Sequence, residues 1–418
     1  MRQRTHFDVR EHKVPACHIR EYAGSTAASQ EEVLYLHVKQ YTPLPALSGA
    51  QEKDALTIIA TNGVGLSKEL YEPLWDEIYQ LSASNDYAIR GIWIADAVSL
   101  GMSGVLNEGK LSNDYSWMDH ARDLLLMINQ FRDQMPRPLV GIGHSFGGCQ
   151  ITNLAYLHPR LFASMILLDP VIQLSPPVMG FNGLPTGPVN FTTHRKDLWP
   201  NRAAASQKRA SKGWDPRVLE RMMQYGYRDL PTALYPDLPP DADRSDPPVT
   251  LTTTKHQEAL AQLRANFEAR QPDGRIHINR NTHADMDPLS AFVPLYRPEL
   301  RSTFHRLPGL RPPTLWVVGE KTFLCLDEIR EGIKIAGTGV GGSGGSPEAK
   351  VKEVMTFREQ QVKWNQEREN MTMKDHMTLS KTWMEVVKPP SGVKTKLQAY
   401  NLYQSQVVEP QGSRDAQV

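Results

Sequence analysis

Cysteine is scarce in this chain: three among 418 residues, Cys17, Cys149 and Cys325, far apart and odd in number. No CxxC pair is present, so neither a zinc site of that type nor a dithiol redox centre has its ligands, and a reducing compartment is expected. Charge of one sign is lacking too. The 47 Lys and Arg nearly cancel the 46 Asp and Glu, leaving a net charge of +1, so no basic field draws the chain to nucleic acid. No apolar run reaches the roughly 18 residues that a membrane-spanning helix needs. The first ten residues carry Arg2, Arg4, Asp8 and Arg10 and lack the apolar stretch of a signal peptide. The last four, Asp415 to Val418, differ from a Ser-Lys-Leu peroxisomal address. On these signals the chain is expected to be cytoplasmic.

What is present is a rhythm of short apolar runs and helical periods. Val33 to Gln40, Thr57 to Thr61, Arg90 to Ile94, Leu139 to Gly143 and Met165 to Leu168 read as strands. Between them, a helix is expected from a Ser67 cap through Leu81, another from a Ser116/Asp119 capping box through Phe131, and a third over Gln150 to Leu157. Strand, helix, strand at this spacing predicts parallel βαβ units, hence an α/β fold with helices on both faces of a mostly parallel sheet. From about Ser175 to Pro308 the pattern changes: prolines cluster and helical stretches such as Lys255 to Arg270 appear without strands, as in a helical lid. The sheet resumes at Leu315 to Gly319, with a helix near Asp327 to Ile335 and a last strand at Val351 to Met355. The expected organisation is a core over 1–174 and 309–357, a lid over 175–308, and a helical extension and tail over 358–418.

The chemistry is carried by Gly143-His144-Ser145-Phe146-Gly147. Serine at its free pKa is a poor nucleophile and needs exposure, a base and a place for the oxyanion it creates. A strand runs into this pentapeptide and a helix runs out of it, which is the context a nucleophile elbow requires; the glycines let neighbouring backbone pass where a Cβ would clash. A plain glycine turn with a surface serine is the bland alternative. The Phe146 amide, at the start of the helix, is expected to be one oxyanion donor. Val64, in Asn62-Gly63-Val64-Gly65 after the second strand, is the candidate for the other, a simple glycine turn being equally consistent with the sequence.

The acid should follow a strand at the carboxyl edge of the sheet. Asp169, straight after Met165 to Leu168 and fixed by Pro170, is favoured over Glu320 at the end of Leu315 to Gly319. The base is the weak point. No histidine lies just after the last expected strand, and His376, about twenty residues later, is the sole histidine beyond it. His144 is expected to point away from its neighbour Ser145, and His158 closes a helix before Pro159.

Long runs carry a wider likeness. PLVGIGHSFGG, LAYLHPRLF, LLDPVIQLSPP, THADMDPL and YRPELRSTF resemble the α/β-hydrolases of fungal secondary metabolism, among them acyl-CoA hydrolases of mycophenolic acid biosynthesis and related toxin-pathway hydrolases, over about Val14 to Pro390. The resemblance implies the α/β-hydrolase fold, a type I acyl-CoA thioesterase activity on a polyketide-derived acid, a peroxisomal location, Ser145 as nucleophile and Asp169 as acid. The chain departs from that family in lacking a Gly-Phe-Gly-His-like segment after Val354, in lacking the peroxisomal tripeptide, and in carrying Asn62 where the family has His. A hydrolase fold that has lost its base and only binds is therefore the competing expectation.

Other signals weigh less. Gly337 to Gly342 matches GxGxxG but follows a helix-like stretch, so a dinucleotide cofactor is not expected. His283, Asp285 and Asp287 are better read as a proline-bounded turn than as metal ligands. Trp199, Trp214, Phe267 and Phe292 are candidates for an acyl-pocket lining, with packing of the insertion itself as the alternative. The expected partner is a small acyl-CoA or ester, without cofactor, metal or nucleic acid; oligomeric state stays open, a homodimer included.

Overall fold

A computed structural model describes residues 6–44, 55–85, 87–175, 188–210, 213–240, 242–266, 275–279, 282–286, 290 and 295–339, with four further positions at 359, 363, 366 and 370. The chain divides into two units, Met1–Val354 and Met355–Val418. In the second, residues 359, 363 and 366 are helical, and Asn370 Nδ2 donates to the Gln366 carbonyl at 3.0 Å. The expected last strand, Val351 to Met355, lies outside the described residues, as does His376.

In the first unit the strands are β1 (Phe7–Pro15), β2 (Tyr35–Pro43), β3 (Leu56–Thr61), β4 (Ile89–Ala95), β5 (Leu139–His144), β6 (Phe162–Leu168), five short strands β7 to β11, and β12 (Thr314–Val317). Seven of them form one sheet in the order β1-β2-β4-β3-β5-β6-β12. From β4 to β12 every pairing is parallel; β1 and β2 join antiparallel at one edge. Alternation along the central strands shows why this sheet is buried on both faces. Ile58, Ile92 and Ile94 pack with Trp75 and Tyr79 on one side, while Ile59 and Trp93 pack with Leu124, Met127 and Ile151 on the other. The first side is covered by α1 (Glu72–Ser82); the second by α3 (Trp117–Gln130) and α4 (Phe146–Leu157), after the short α2 (Gly101–Leu106). Each such buried aliphatic side chain contributes roughly 1.5–3 kcal/mol of transfer free energy.

Local signals held in part. Ser67 makes no side-chain cap; a 3₁₀ turn, Lys68–Tyr71, leads into α1, and Leu81, expected on its buried face, is exposed. Ser116 caps α3 by accepting the Met118 amide at 3.1 Å, but Asp119 does not reach back to it and instead takes the Glu21 amide at 3.0 Å. The Glu299 carboxylate closes that helix start, accepting from Trp117 N at 2.7 Å and from Ser116 Oγ at 3.0 Å. A long-range partner thus does what the local capping pattern promised.

Between β6 and β12 the chain leaves the main sheet. This stretch holds α5 (Pro188–His194), α6 (Arg202–Ala210), α7 (Pro216–Tyr225) and α8 (Lys255–Gln262), and it is not purely helical. Here β7 (Leu198–Trp199), β8 (Tyr227–Asp229) and β9 (Val249–Leu251) form one small sheet, and β10 (Arg264–Ala265) with β11 (Leu295–Tyr296) forms another. Two- and three-residue strands carry too little alternation to be read from sequence. The helix expected over Lys255 to Arg270 stops at Gln262 because the next residues pair with β11. Two further helices, α9 (Pro298–Arg306) and α10 (Leu326–Ile335), complete the fold. No helix among the described residues is long and apolar enough to cross a membrane.

One buried histidine gives this fold an acid limit. His120, on α3, is 2% exposed, and burial pushes its imidazole down to about 4. The unfolded chain takes up that proton near pH 6.5 and the folded chain does not, so stability present above pH 6.5 is lost as pH falls toward 4. The loss amounts to about 2 kcal/mol by pH 5. Thermal melting between pH 7 and pH 5 should therefore drop less steeply in His120→Gln than in the wild type; parallel curves would show that His120 does not titrate this way.

Candidate active site

The end of β5 and the start of α4 form a strained turn. Ser145 has φ 55° and ψ −120°, a region non-glycine residues enter at a cost of about 1–3 kcal/mol and keep only where the surroundings enforce it. The enforcement is visible. Ser145 N donates to the Leu168 carbonyl at 2.8 Å, and the Ser145 carbonyl accepts from Gly148 N at 2.9 Å and from Val171 N at 3.0 Å. Both glycines of the motif are sterically required: a Cβ on Gly143 would lie 2.7 Å from the Gly147 carbonyl, and one on Gly147 would lie 2.6 Å from the Asn62 carbonyl. The serine is half-buried at the N-cap of α4, whose first amides, Phe146 and Gly147, have no helical carbonyl behind them.

Facing this helix start is the turn after β3. Leu66 N donates to the Gly63 carbonyl at 3.2 Å, and Gly65 supplies the positive φ of 73° that the turn needs. The Asn62 side chain braces it, Nδ2 donating to the Leu66 carbonyl at 2.5 Å and to Asp96 Oδ1 at 3.3 Å. Asp96 is wholly buried and also accepts from Lys68 N (3.1 Å), Lys68 Nζ (2.6 Å) and Met102 N (3.2 Å). Burial opposes the Lys68 charge, but Asp96 and then Glu69 more than offset it and hold the ammonium above its usual range. From the other direction the Glu258 carboxylate packs on Gly65, itself gripped by Arg195 and by Thr192 Oγ1 at 2.9 Å.

Val64 and Ser145 line one cavity of about 50 Å³ together with Trp117, Phe146, Val171, Pro188, Val189, Gln262, Leu263 and Phe323. Its wall is apolar, and Trp117 is set edge-on to Phe146 with centroids 4.9 Å apart. So the structure brings Ser145, Phe146 and Val64 together as expected. A larger cavity, about 690 Å³, lies among Trp199, Leu230, Tyr235 and Pro248 within the inserted stretch and shares no residue with the first. Trp199 therefore lines a different space, and Trp214 packs beside Leu70 and Met222; neither reaches Ser145, while Phe267 and Phe292 lie outside the described residues. Among the described residues, the aromatic rings that line the cavity with Ser145 are Trp117, Phe146 and Phe323, all outside the inserted stretch.

Asp169 follows β6 with φ 46°, between Leu168 and Val171, the two residues bonded to the Ser145 backbone. Its carboxylate accepts from Thr322 Oγ1 at 2.8 Å and Gly319 N at 3.3 Å. Glu320, the competing candidate, is exposed in the loop after β12. His144 turns away from the serine as expected: its Nδ1 is 2.6 Å from the Tyr71 hydroxyl. Burial lowers the His144 pKa, against the raising effect of Asp169.

The alpha/beta hydrolase family model matches residues 58–321, a span that begins in β3, includes the elbow and Asp169, and ends past β12. The chain belongs to the alpha/beta hydrolase family. Among its relatives, the type I acyl-CoA thioesterase mpaH of Penicillium roqueforti is 54% identical over 92% of this chain and 96% of its own length. The mpaH' thioesterase of Penicillium brevicompactum is 53% identical over 93% and 98%. A solved structure, the peroxisomal alpha-beta-hydrolase Lpx1 of Saccharomyces cerevisiae, shares the fold at a TM-score of 0.58 and 17% identity, covering 97% of this chain and all of that one.

Of the GxGxxG and His283/Asp285/Asp287 stretches, residues 340–342 and 287 lie outside the described residues, and the others make structural contacts. Gly337 has φ 76° and closes α10, its amide donating to the Leu307 carbonyl at 2.9 Å, a helix-end role. Asp285 is engaged by Arg264, Tyr22 and Tyr296, and no metal-holding group of His, Cys, Asp and Glu occurs among the described residues. Sequence reasoning missed Tyr71, Asp96 and Glu258, which brace the turn. They come from three different elements, and no local spacing announces them.

Proposed function

We propose that this chain is a serine hydrolase cleaving an acyl-CoA thioester, or an ester, of a secondary-metabolite acid through an acyl-Ser145 intermediate. Ser145 Oγ attacks the carbonyl carbon, and the amides of Phe146 and Val64 receive the oxyanion that forms. Collapse expels the thiol with the proton taken from the serine, and water then releases the acid by the same route in reverse order. In this reading Asp169 is the acid that orients the base, and His376, which lies outside the described residues, is the sequence's candidate for that base. Ground-state binding falls to the apolar wall of Trp117, Phe146, Val171 and Phe323, closed by Pro188, Val189, Gln262 and Leu263 of the inserted stretch. The thioester preference is supported by the two Penicillium relatives and the acyl-serine step by the backbone of Ser145.

The single observation that carries the proposal is that Ser145 holds φ 55° at a helix N-terminus while lining an apolar cavity with Val64. A biotinylated fluorophosphonate should modify the folded protein at one site, found by peptide mass mapping on the segment holding Ser145, and prior heat unfolding should abolish the adduct. Absence of modification in folded protein would leave the scaffold without the chemistry. With labelling in hand, acyl-CoA hydrolysis that survives His376→Ala unchanged would reject that residue as base.

A further inference from the structure

Tyr71 ends the 3₁₀ turn Lys68–Tyr71, and its ring lies 6.1 Å from Trp75 at 24°. The phenol oxygen accepts the Gly63 N–H at 2.8 Å and sits 2.6 Å from His144 Nδ1. The Gly63 amide takes an acceptor site of the phenol and leaves its proton free for His144 Nδ1, the arrangement that puts the imidazole proton on Nε2. Burial of His144 favours that neutral form. The two residues flanking this hydroxyl have plain positions: His144 directly precedes Ser145, and Gly63 directly precedes Val64. One phenol therefore joins the strand end that presents the nucleophile to the turn that presents the second oxyanion donor.

Gly63 has its explanation here. A Cβ at that position would lie 2.9 Å from His144 Nδ1, so only glycine lets the imidazole approach the turn. With the Gly63 amide fixed by Tyr71 and its carbonyl fixed by Leu66 N, both ends of the residue are held. The peptide plane that carries the Val64 N–H then has one orientation.

We propose that Tyr71, held by His144, is a positioning residue that aims the Val64 amide at the oxyanion. The proposal rests on the acyl-serine reading above. Tyr71 touches no reacting atom, so its effect is confined to the charge developed in the transition state. Tyr71→Phe retains the ring and loses the hydroxyl. It is expected to lower kcat about 10- to 100-fold with KM little changed. Affinity for an acyl trifluoromethyl ketone, which adds Ser145 Oγ to its carbonyl and forms an oxyanion, should fall by the same factor as kcat/KM, while a non-reacting thioether analogue of the substrate binds as before. His144→Asn places an acceptor near the Nδ1 site and should keep most of the rate. His144→Leu should behave as Tyr71→Phe, and the double variant should be no worse than either.

Unchanged kcat in Tyr71→Phe overturns the proposal, as does equal weakening of the ketone and the thioether, which would mark general loosening. A His144→Asn variant as damaged as His144→Leu overturns the role given to His144. If Tyr71→Phe fails to fold by its thermal transition, the His144 pair carries the same comparison. Wild-type protein that forms no adduct at Ser145 brings down the acyl-serine reading and this proposal with it; an adduct that forms equally well in both proteins, with equal turnover, brings down this proposal alone.

Discussion

Ser145→Gly should be inactive and more stable than Ser145→Ala. Either change removes the proposed nucleophile and is expected to lower kcat on the order of 10⁵-fold, the residual rate coming from the amides and the binding wall. Stability should separate them as well. Glycine is already preferred to alanine at a helix N-cap, and position 145 in addition holds φ 55° under three backbone hydrogen bonds that do not depend on its side chain. Glycine adopts that conformation without a Cβ clash, so Ser145→Gly should gain about 1 kcal/mol over Ser145→Ala. Thermal melting of the two variants beside the wild type measures it. Alanine above glycine would mean that the turn is relaxed and that Ser145 is not held in the geometry assigned to it.

Asp96→Ala should be the most destabilising single change near the site. The carboxylate is 0% exposed, as is the Lys68 side chain, and the two are 2.6 Å apart. Removing it leaves a buried ammonium facing Glu69 at 3.0 Å and takes the Asp96 acceptor from the amides of Lys68 and Met102 and from the Asn62 side chain, which keeps the Leu66 carbonyl. Breaking a buried pair from one side costs about 3–5 kcal/mol, whereas replacing both partners by apolar groups of similar volume costs far less. Asp96→Leu with Lys68→Met should therefore recover much of what Asp96→Ala loses, read as urea midpoints at constant m-value. Equal midpoints for the single and double variants would show that the pair is not what holds this region. Because Asn62 braces the Gly63–Leu66 turn and is tied to Asp96, the proposed mechanism predicts that activity falls in both, and further than the stability of the double variant explains.

The sequence carried the sheet where strands were buried on both faces, because a run such as Leu56–Thr61 centres on Ile58, Ile59 and Ala60 and is bounded by turn residues. It did not reveal β1, whose Phe7–Pro15 alternates few apolar residues with Arg10, Glu11 and Lys13 along an edge where only Phe7 and Val14 are buried. An edge strand needs no apolar run, since its outer side faces water. The inserted stretch was legible as a change of composition and not as a structure. Its two small sheets join residues as far apart as Leu198 and Thr250, and nothing local encodes that pairing.

For the site, the amino-acid order alone established the elbow, since glycine at 143 and 147 around a serine between strand and helix has one steric solution. It also put Asp169 at the right edge of the sheet, because the residue after a parallel strand has nowhere else to go. Tertiary structure decided the rest. Which phenol holds Gly63, which carboxylate braces Asn62 and which rings wall the cavity depend on side chains brought in from distant elements. Chain connectivity fixes backbone turns within a few residues, whereas contacts across tens to hundreds of residues exist only once the sheet has packed.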